Sequence, residues 1–153
     1  MSVYKKLAEA RVKLQGTEIK KSGHNKFAGY SYMQLEDFLP HINTIFNELG
    51  LCGITSFSNE FATLTIYDVD SDGSIVITSP MANVELKGCH PIQNLGAVES
   101  YQRRYLWLSA MEIVEHDIID SSEPVKPRPK DEVIAELEKV AKKGSDEIGR
   151  AHV

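Results

Sequence analysis

The segment from residue 20 to residue 32 interleaves basic, aromatic and glycine residues in the order KKSGHNKFAGYSY. Lysines bind phosphates, glycines let a backbone come close, and exposed rings stack on bases for about 1–3 kcal/mol each. The pattern is also that of a hairpin whose rings face the core and whose lysines are solvated. On the first interpretation the segment contacts single-stranded nucleic acid through Lys20, Lys21, Lys26, Phe27, Tyr30 and Tyr32.

A second segment, residues 91–110, places a comparable set on one ridge of a predicted helix. Gln93, Gly96, Ser100 and Arg104 follow one another at spacings of three, four and four, and Arg103 lies beside them. Small residues around an arginine let a phosphate backbone approach, where a guanidinium can bind it with two parallel hydrogen bonds. Small residues also serve tight helix packing, so both interpretations stay open.

The opposite side of the same predicted helix is apolar. At about 100° per residue, Leu95, Val98, Tyr105 and Leu106 gather on one face. We expect this face to pack on a sheet.

Catalytic chemistry finds little support in the chain. The phosphate-binding pattern G-x-x-x-x-G-K-[ST] is absent, which argues against ATP hydrolysis of that kind. Asp68, Asp70 and Asp72 resemble the start of a calcium loop whose later positions are missing. Cys89 and His90 form the one neighbouring Cys/His pair, without a second pair at zinc spacing. We predict no enzymatic activity, cofactor or metal; an enzyme using Cys89 or His90 is the alternative.

Composition and charge set the frame for these segments. The chain has 153 residues, 42% of them hydrophobic and 25% charged, which suits one soluble domain with a core. It has no apolar run long enough to cross a membrane, and its two cysteines suit reduced thiols in the cytoplasm of a bacterial host. The net charge is −5, but residues 1–30 hold seven basic and two acidic side chains. A local basic field of this kind can bind a polyanion.

The periodicities predict an α+β fold. Helices are expected over residues 2–15, over a segment opened by a capping box at Ser31 and Gln34 and ended at Gly50, and over 91–110. Pro40 should bend the second helix or delay its start. A hairpin is expected within 17–31, and an antiparallel meander over 51–57, 60–68 and 74–86. We place the core domain at 1–120, followed at 121–153 by a proline-containing linker and a short C-terminal helix or flexible tail.

Together the two segments resemble the ERF (essential recombination function) family of phage single-strand annealing proteins. The family form S-G-x-x-x-F-x-x-Y-x-Y reads Ser22-Gly23-His24-Asn25-Lys26-Phe27-Ala28-Gly29-Tyr30-Ser31-Tyr32 here, followed by Leu35-Glu36-Asp37. The later form Q-x-x-G … Y-x-x-R-Y reads Gln93-Asn94-Leu95-Gly96 and then Tyr101-Gln102-Arg103-Arg104-Tyr105. The acidic end of the family domain matches weakly, from Glu115 to Asp120.

The resemblance implies a β-β-β-α core in a protein that assembles into rings or filaments. It implies ATP-independent binding of single-stranded DNA and annealing of complementary strands in phage recombination. Lys21, Lys26, Arg103 and Arg104 would contact phosphates, with Tyr30, Tyr32 and Tyr101 in the groove or its packing. Expected partners are single-stranded DNA, further copies of the chain, and host single-strand-binding or replication proteins, but no membrane. A passive single-strand-binding protein and a module that binds host replication or repair factors are the alternatives.

Overall fold

The computed structural model describes residues 1–27, 29–81, 87–115 and 130–151 of the chain. The chain divides into two compact units, Met1–Glu115 and His116–Val153. The expected domain boundary at residue 120 and the proline-containing linker after it lie outside the described residues.

The first unit contains three helices and two antiparallel sheets. The helices are α1 (Val3–Gln15), α2 (Leu35–Leu49) and α3 (Pro91–Ala110). A two-stranded hairpin, β1 (Gly23–Asn25) and β2 (Tyr30–Tyr32), separates α1 from α2. The larger sheet has the order β3 (Leu51–Phe57), β4 (Phe61–Asp68) and β5 (Ser74–Pro80). The predicted α+β class and its β-β-β-α core are confirmed; of the predicted third strand, residues 82–86 lie outside the described part.

The core lies on one face of the larger sheet. Alternate residues of the central strand, Ala62, Leu64 and Ile66, are fully buried, as the period of two requires when one face is covered. Helices α1, α2 and α3 all pack on the larger sheet and contribute buried side chains to this core. The largest fully buried side chains there include Phe38 and Ile42 of α2.

The predicted start of α2 was wrong by one turn. Ser31 lies in β2, paired with His24, and the helix begins at Leu35. Its N-terminal cap is Gln34, whose backbone N–H donates to the carboxylate of Asp37 at 2.8 Å. The start thus falls later than Ser31 predicted but before Pro40, which lies inside the helix. The helix ends, as predicted, at Gly50 in the left-handed conformation (φ 72°).

Helix α3 has the predicted bounds but a different buried face. Leu106 is buried as expected, whereas Leu95 and Tyr105 are 47% and 54% exposed. Gln102, Trp107 and Ala110 are buried instead, and the ring of Trp107 packs on that of Phe46 with centroids 5.6 Å apart. The buried residues all lie in the second half of the helix. The direction of the buried face was therefore predicted wrongly, because the prediction used the apolar residues of the whole helix.

One buried ion cluster joins α1 to the turn between β4 and β5. The Lys6 ammonium lies 2.6 Å from a carboxylate oxygen of Asp68 and 2.6 Å from one of Asp70. The side chains of Lys6 and Asp68 are 8% and 1% exposed. These hydrogen bonds raise the pKa of Lys6 and lower the pKa of Asp68. Lys6 thus supplies the positive charge for two of the three aspartates that resembled a calcium loop.

The second unit contains one described element, α4 (Lys130–Ala151), a helix of 22 residues. It is longer than the short helix expected, because it continues through most of the segment after Lys143 that showed no sequence pattern. Among the described residues, no helix has both the length and the apolar character needed to cross a membrane.

Replacing Lys6 with methionine should destabilise the fold, because Asp68 then stays buried without its cation. In the native chain the stability from the lowered Asp68 pKa is complete above the unfolded value of about 3.9 and is lost as the pH falls through the folded value. Unfolding temperature measured from about pH 6 to about pH 3 should therefore fall less steeply in Lys6→Met than in the native chain. Lys5→Met, at the exposed neighbouring position, is the control. Equal slopes of unfolding temperature against pH in the native chain and both variants would contradict the role of Lys6 as the partner of Asp68.

Candidate nucleic-acid interface

The hairpin between α1 and α2 is organised by its own turn. The strands pair with Gly23 opposite Tyr32 and Asn25 opposite Tyr30. The side-chain oxygen of Asn25 accepts from the Phe27 N–H at 3.0 Å, and its carbonyl accepts from the Gly29 N–H at 2.8 Å. Gly29 has a φ of 69°, a conformation that favours glycine. The turn therefore follows from the Asn-Lys-Phe-Ala-Gly stretch itself.

The turn and the segment just before β1 present cations and a ring to solvent. Lys26 lies in the turn, and Lys20 and Lys21 precede β1; these three are called the hairpin lysines below. Lys20, Lys21 and Lys26 are exposed, and within the described part of the chain none of them forms an ion pair. Phe27 is fully exposed. Tyr30 and Tyr32 are half-buried, with ring centroids 6.2 Å apart. The alternative in which the aromatic residues simply face the core is wrong for Phe27.

Asp37 fixes the hairpin to the start of α2. Its carboxylate accepts hydrogen bonds from the Ser22 N–H at 3.0 Å, the Ser22 hydroxyl at 2.8 Å and the Gln34 N–H at 2.8 Å. Burial acts to raise the pKa of Asp37, but these bonds outweigh it and lower the pKa. The ring of Tyr32 closes over Gly23, where a Cβ atom would lie 2.5 Å from a ring carbon. Ser22 thus positions the hairpin through its hydrogen bonds to Asp37, and Gly23 does so by leaving room for the ring of Tyr32.

Arg104 clamps the segment that leads from the hairpin into α2. Its Nε donates to the Met33 carbonyl at 2.7 Å, and its Nη2 lies 2.6 Å from a carboxylate oxygen of Glu115. The other oxygen of Glu115 accepts from the Met33 N–H. The guanidinium carbon lies 5.1 Å from the ring centre of Tyr32 and 5.7 Å from that of Tyr105. Arg104 therefore ties α3, Glu115 and β2 into one unit.

A groove of about 540 Å³ opens between α2 and α3 beside this clamp. It contains three apolar residues of α2 and two tyrosines, together with amide and hydroxyl side chains that can both donate and accept. The carboxylate of Glu36 also lines it. The lining residues are Tyr32, Gln34, Leu35, Glu36, Leu39, Pro40, Asn43, Ser100, Tyr101 and Arg104.

Four of the residues predicted to contact DNA meet in this groove: Tyr32, Ser100, Tyr101 and Arg104. The hairpin residues Lys20, Lys21, Lys26, Phe27 and Tyr30 are not among its lining. Arg103 is exposed on α3, outside the groove. Gln93 lies at the first turn of α3, where its side-chain oxygen accepts from the His90 N–H at 3.2 Å. The predicted contacts thus form a groove set, a hairpin set and two positions on α3.

Sequence reasoning missed two carboxylates that hold the interface together. Asp37 and Glu115 both lie in stretches that carried the family resemblance, but no role followed for either from their spacing. The available signal was an acidic residue near each basic or aromatic motif. Within the described residues, no group of three or more His, Cys, Asp or Glu side chains could hold a metal, and Cys52 and Cys89 are exposed free thiols.

The clamp predicts that two adjacent arginines differ sharply in their effect on stability. Arg104→Ala removes hydrogen bonds to a partly buried carboxylate and a carbonyl, at a cost of about 1.5–3 kcal/mol in the free energy of unfolding. Arg103→Ala, at an exposed position, should change it by less than about 0.5 kcal/mol. Urea denaturation of the two variants measures the difference. Equal losses would show that Arg104 is not a clamp.

Comparison with known proteins agrees with the two motifs. No curated protein and no solved structure shows significant similarity to the chain. The family model of the ERF superfamily matches residues 3–145, which include the hairpin, the groove, the clamp and most of α4. The resemblance carried by the two motifs is thereby confirmed: the chain belongs to the ERF superfamily.

Proposed function

We propose that this protein binds single-stranded DNA and anneals complementary strands without ATP, as part of homologous recombination in a bacteriophage. Membership of the ERF superfamily supports a recombination or annealing type of function in general. The observation that carries the finer proposal is the groove, where residues of both family motifs lie together beside a hairpin of free cations.

The hairpin lysines suit the phosphates of a strand. Lys20, Lys21 and Lys26 have no carboxylate partner among the described residues, so their charge is available to a polyanion. Lysines that neutralise phosphates release condensed counterions, which makes binding steeply dependent on salt. Arg103 is the corresponding free cation on α3. The exposed ring of Phe27 offers a surface on which a base of any sequence can stack.

The groove suits the uncharged parts of a nucleotide. The charge of Arg104 is paired with Glu115, and Glu36 adds a negative charge to the lining, so the groove has no excess of positive charge. Its apolar side chains and the 63% exposed ring of Tyr101 suit bases or sugars. Arg104 then acts as a positioning residue for Tyr32 and Met33, and the lysines take the phosphates.

Annealing requires no covalent step in this scheme. Copies of the chain assemble side by side, and each holds a strand by its backbone. A complementary strand is captured by base pairing, and duplex formation supplies the free energy. The protein contributes by bringing strands together, so no catalytic residue, nucleotide or cofactor is required.

The central prediction is that the protein accelerates annealing of complementary labelled oligonucleotides in the absence of nucleotide. Strand pairing is followed by energy transfer between dyes, with non-complementary oligonucleotides as the control. A rate equal to the spontaneous one would refute annealing. Slower pairing with tight binding would identify a passive single-strand-binding protein, and absence of binding at low salt would favour a module that binds host proteins.

A second prediction concerns the hairpin cations. Lys26→Gln should weaken binding to strands of any sequence and lower the slope of log affinity against log salt by about 1, because one phosphate contact is lost. Lys5→Gln removes the same charge from an exposed position of α1 and should leave the slope unchanged. Fluorescence anisotropy over a salt series measures both. Identical slopes for Lys26→Gln and the native chain would remove the hairpin from the interface.

A further inference from the structure

The two edge strands of the larger sheet carry no charged side chain. They are β3 and β5, which read LCGITSF and SIVITSP in a chain with 25% charged residues. Each pairs with β4 in a regular register along its whole length, without a bulge. Edge strands that must not pair with another chain are usually protected by lysine, proline or a bulge. Of these features the two strands have only Pro80, at the last position of β5.

Both edges present unpaired backbone groups. In an antiparallel pair every second residue bonds to the partner strand, and the residues between them point their N–H and C=O groups away from it. The Ser58 N–H donates to the Phe61 carbonyl, which fixes this alternation for β3. The Asp68 N–H donates to the Gly73 carbonyl, which fixes it for β5. Among the described residues no hydrogen-bond partner faces the outward groups of Gly53 and Thr55 on β3 or of Ser74, Val76 and Thr78 on β5.

Unpaired groups at this spacing bind an extended strand, and a second copy of the chain offers one in the required direction. Neighbouring strands of the sheet are antiparallel, so β3 and β5 run in the same direction. The β5 edge of one copy can therefore receive the β3 edge of the next as a parallel neighbour, without turning either copy over. The outward groups of Val76 then lie between those of Gly53 and Thr55 of the next copy, as a parallel ladder requires.

The side chains at the two edges match in the same register. Ile54 and Val76 both pair with Thr65 of the central strand and are 53% and 60% exposed. Parallel pairing sets Val76 of one copy beside Ile54 of the next, on the same face of the sheet, and sets Ser74 beside Cys52. Neighbouring β-branched side chains on one face stabilise a pair of strands. The chain itself thus supplies the side chains that cover each edge.

We propose that β5 of one copy pairs in parallel with β3 of the next, which joins the larger sheets of successive copies into one continuous sheet. The two edges differ, so the contact is head-to-tail. Repeated contacts of this kind build a ring where the rotation closes and a filament where it does not. The inference rests on the proposed function, to which it adds the surfaces of the side-by-side assembly. The pairing of the strands itself requires no DNA.

Site-directed crosslinking in the full chain tests which edges meet. One chain carries Cys89→Ser and keeps the native thiol of Cys52 on β3, and a second carries Cys52→Ser, Cys89→Ser and Ser74→Cys on β5. Head-to-tail pairing predicts covalent dimers with a short bismaleimide when the two chains are co-expressed, and none when either is expressed alone. Dimers of the first chain alone would indicate that β3 pairs with β3, and dimers of the second alone that β5 pairs with β5. Either result, equal yields in all three samples, or no dimers at all would overturn the proposal.

A charge at the edge tests the same contact without crosslinking. Ile54→Lys places an ammonium group in the junction and should reduce the mass of the assembly, measured by light scattering without DNA, to that of a single chain. Thr65→Lys adds the same charge to the same row of the central strand and should leave the mass unchanged. Circular dichroism verifies that both variants remain folded. A native chain with the mass of one copy, an unchanged mass for Ile54→Lys, or an equal loss for Thr65→Lys would overturn the proposal.

A paired substitution tests the register. Val76→Glu alone should also dissociate the assembly, whereas a chain with both Ile54→Lys and Val76→Glu should regain its mass, because opposite charges then meet across the junction. A double variant that keeps the mass of one copy would overturn the proposed register. Strand binding of the native assembly is measured separately by fluorescence anisotropy. An assembly of full mass that binds no strand would refute the proposed function and leave the contact between β5 and β3 standing.

Discussion

The ion pair between Arg104 and Glu115 is the interaction on which the candidate interface depends. Its two partners hold both backbone polar groups of Met33: Arg104 binds the carbonyl, and Glu115 binds the N–H. An isolated two-stranded hairpin is only marginally stable in water. Its position in the fold therefore depends on contacts with other elements. The clamp fastens that connection to α3, which is packed on the larger sheet through Leu106 and Trp107. The hairpin thereby takes its position from the core.

A second carboxylate completes this arrangement from the other side. Asp37 ties Ser22, just before the hairpin, to the first turn of α2, and the clamp ties Met33, just after it, to α3. The hairpin is therefore held at both ends while its turn stays free, with Phe27 and Lys26 in solvent. Rigid ends and an accessible turn suit a surface that must keep its shape and still contact a flexible strand.

Local signals in the sequence predicted most of the fold, while the assignment of faces required the structure. Pro91 and Gly50 are chain-local signals, and α3 and α2 begin and end there as expected. The buried face of α3 depends on how far the helix extends past the sheet. This extent cannot be predicted from the helical periodicity of the sequence. Gln102 is buried because its amide can donate to the Pro80 carbonyl at 2.9 Å, a partner distant in the chain. The clamp could not be predicted from the sequence for the same reason, because Met33, Arg104 and Glu115 come together only when the chain folds.

The acidity of the chain is compatible with a polyanionic partner, because a strand responds to the local distribution of unpaired charges and not to the net charge. Asp68 and Asp70 pair with Lys6, Glu48 with Lys13, and Glu115 with Arg104. These contacts lower the contribution of three cations, Lys6, Lys13 and Arg104, to the field that a strand would meet. The hairpin lysines lack such partners among the described residues, and this difference in pairing leaves positive charge near the exposed ring of Phe27. Net charge counts both kinds of cation alike, whereas binding depends on the unpaired ones.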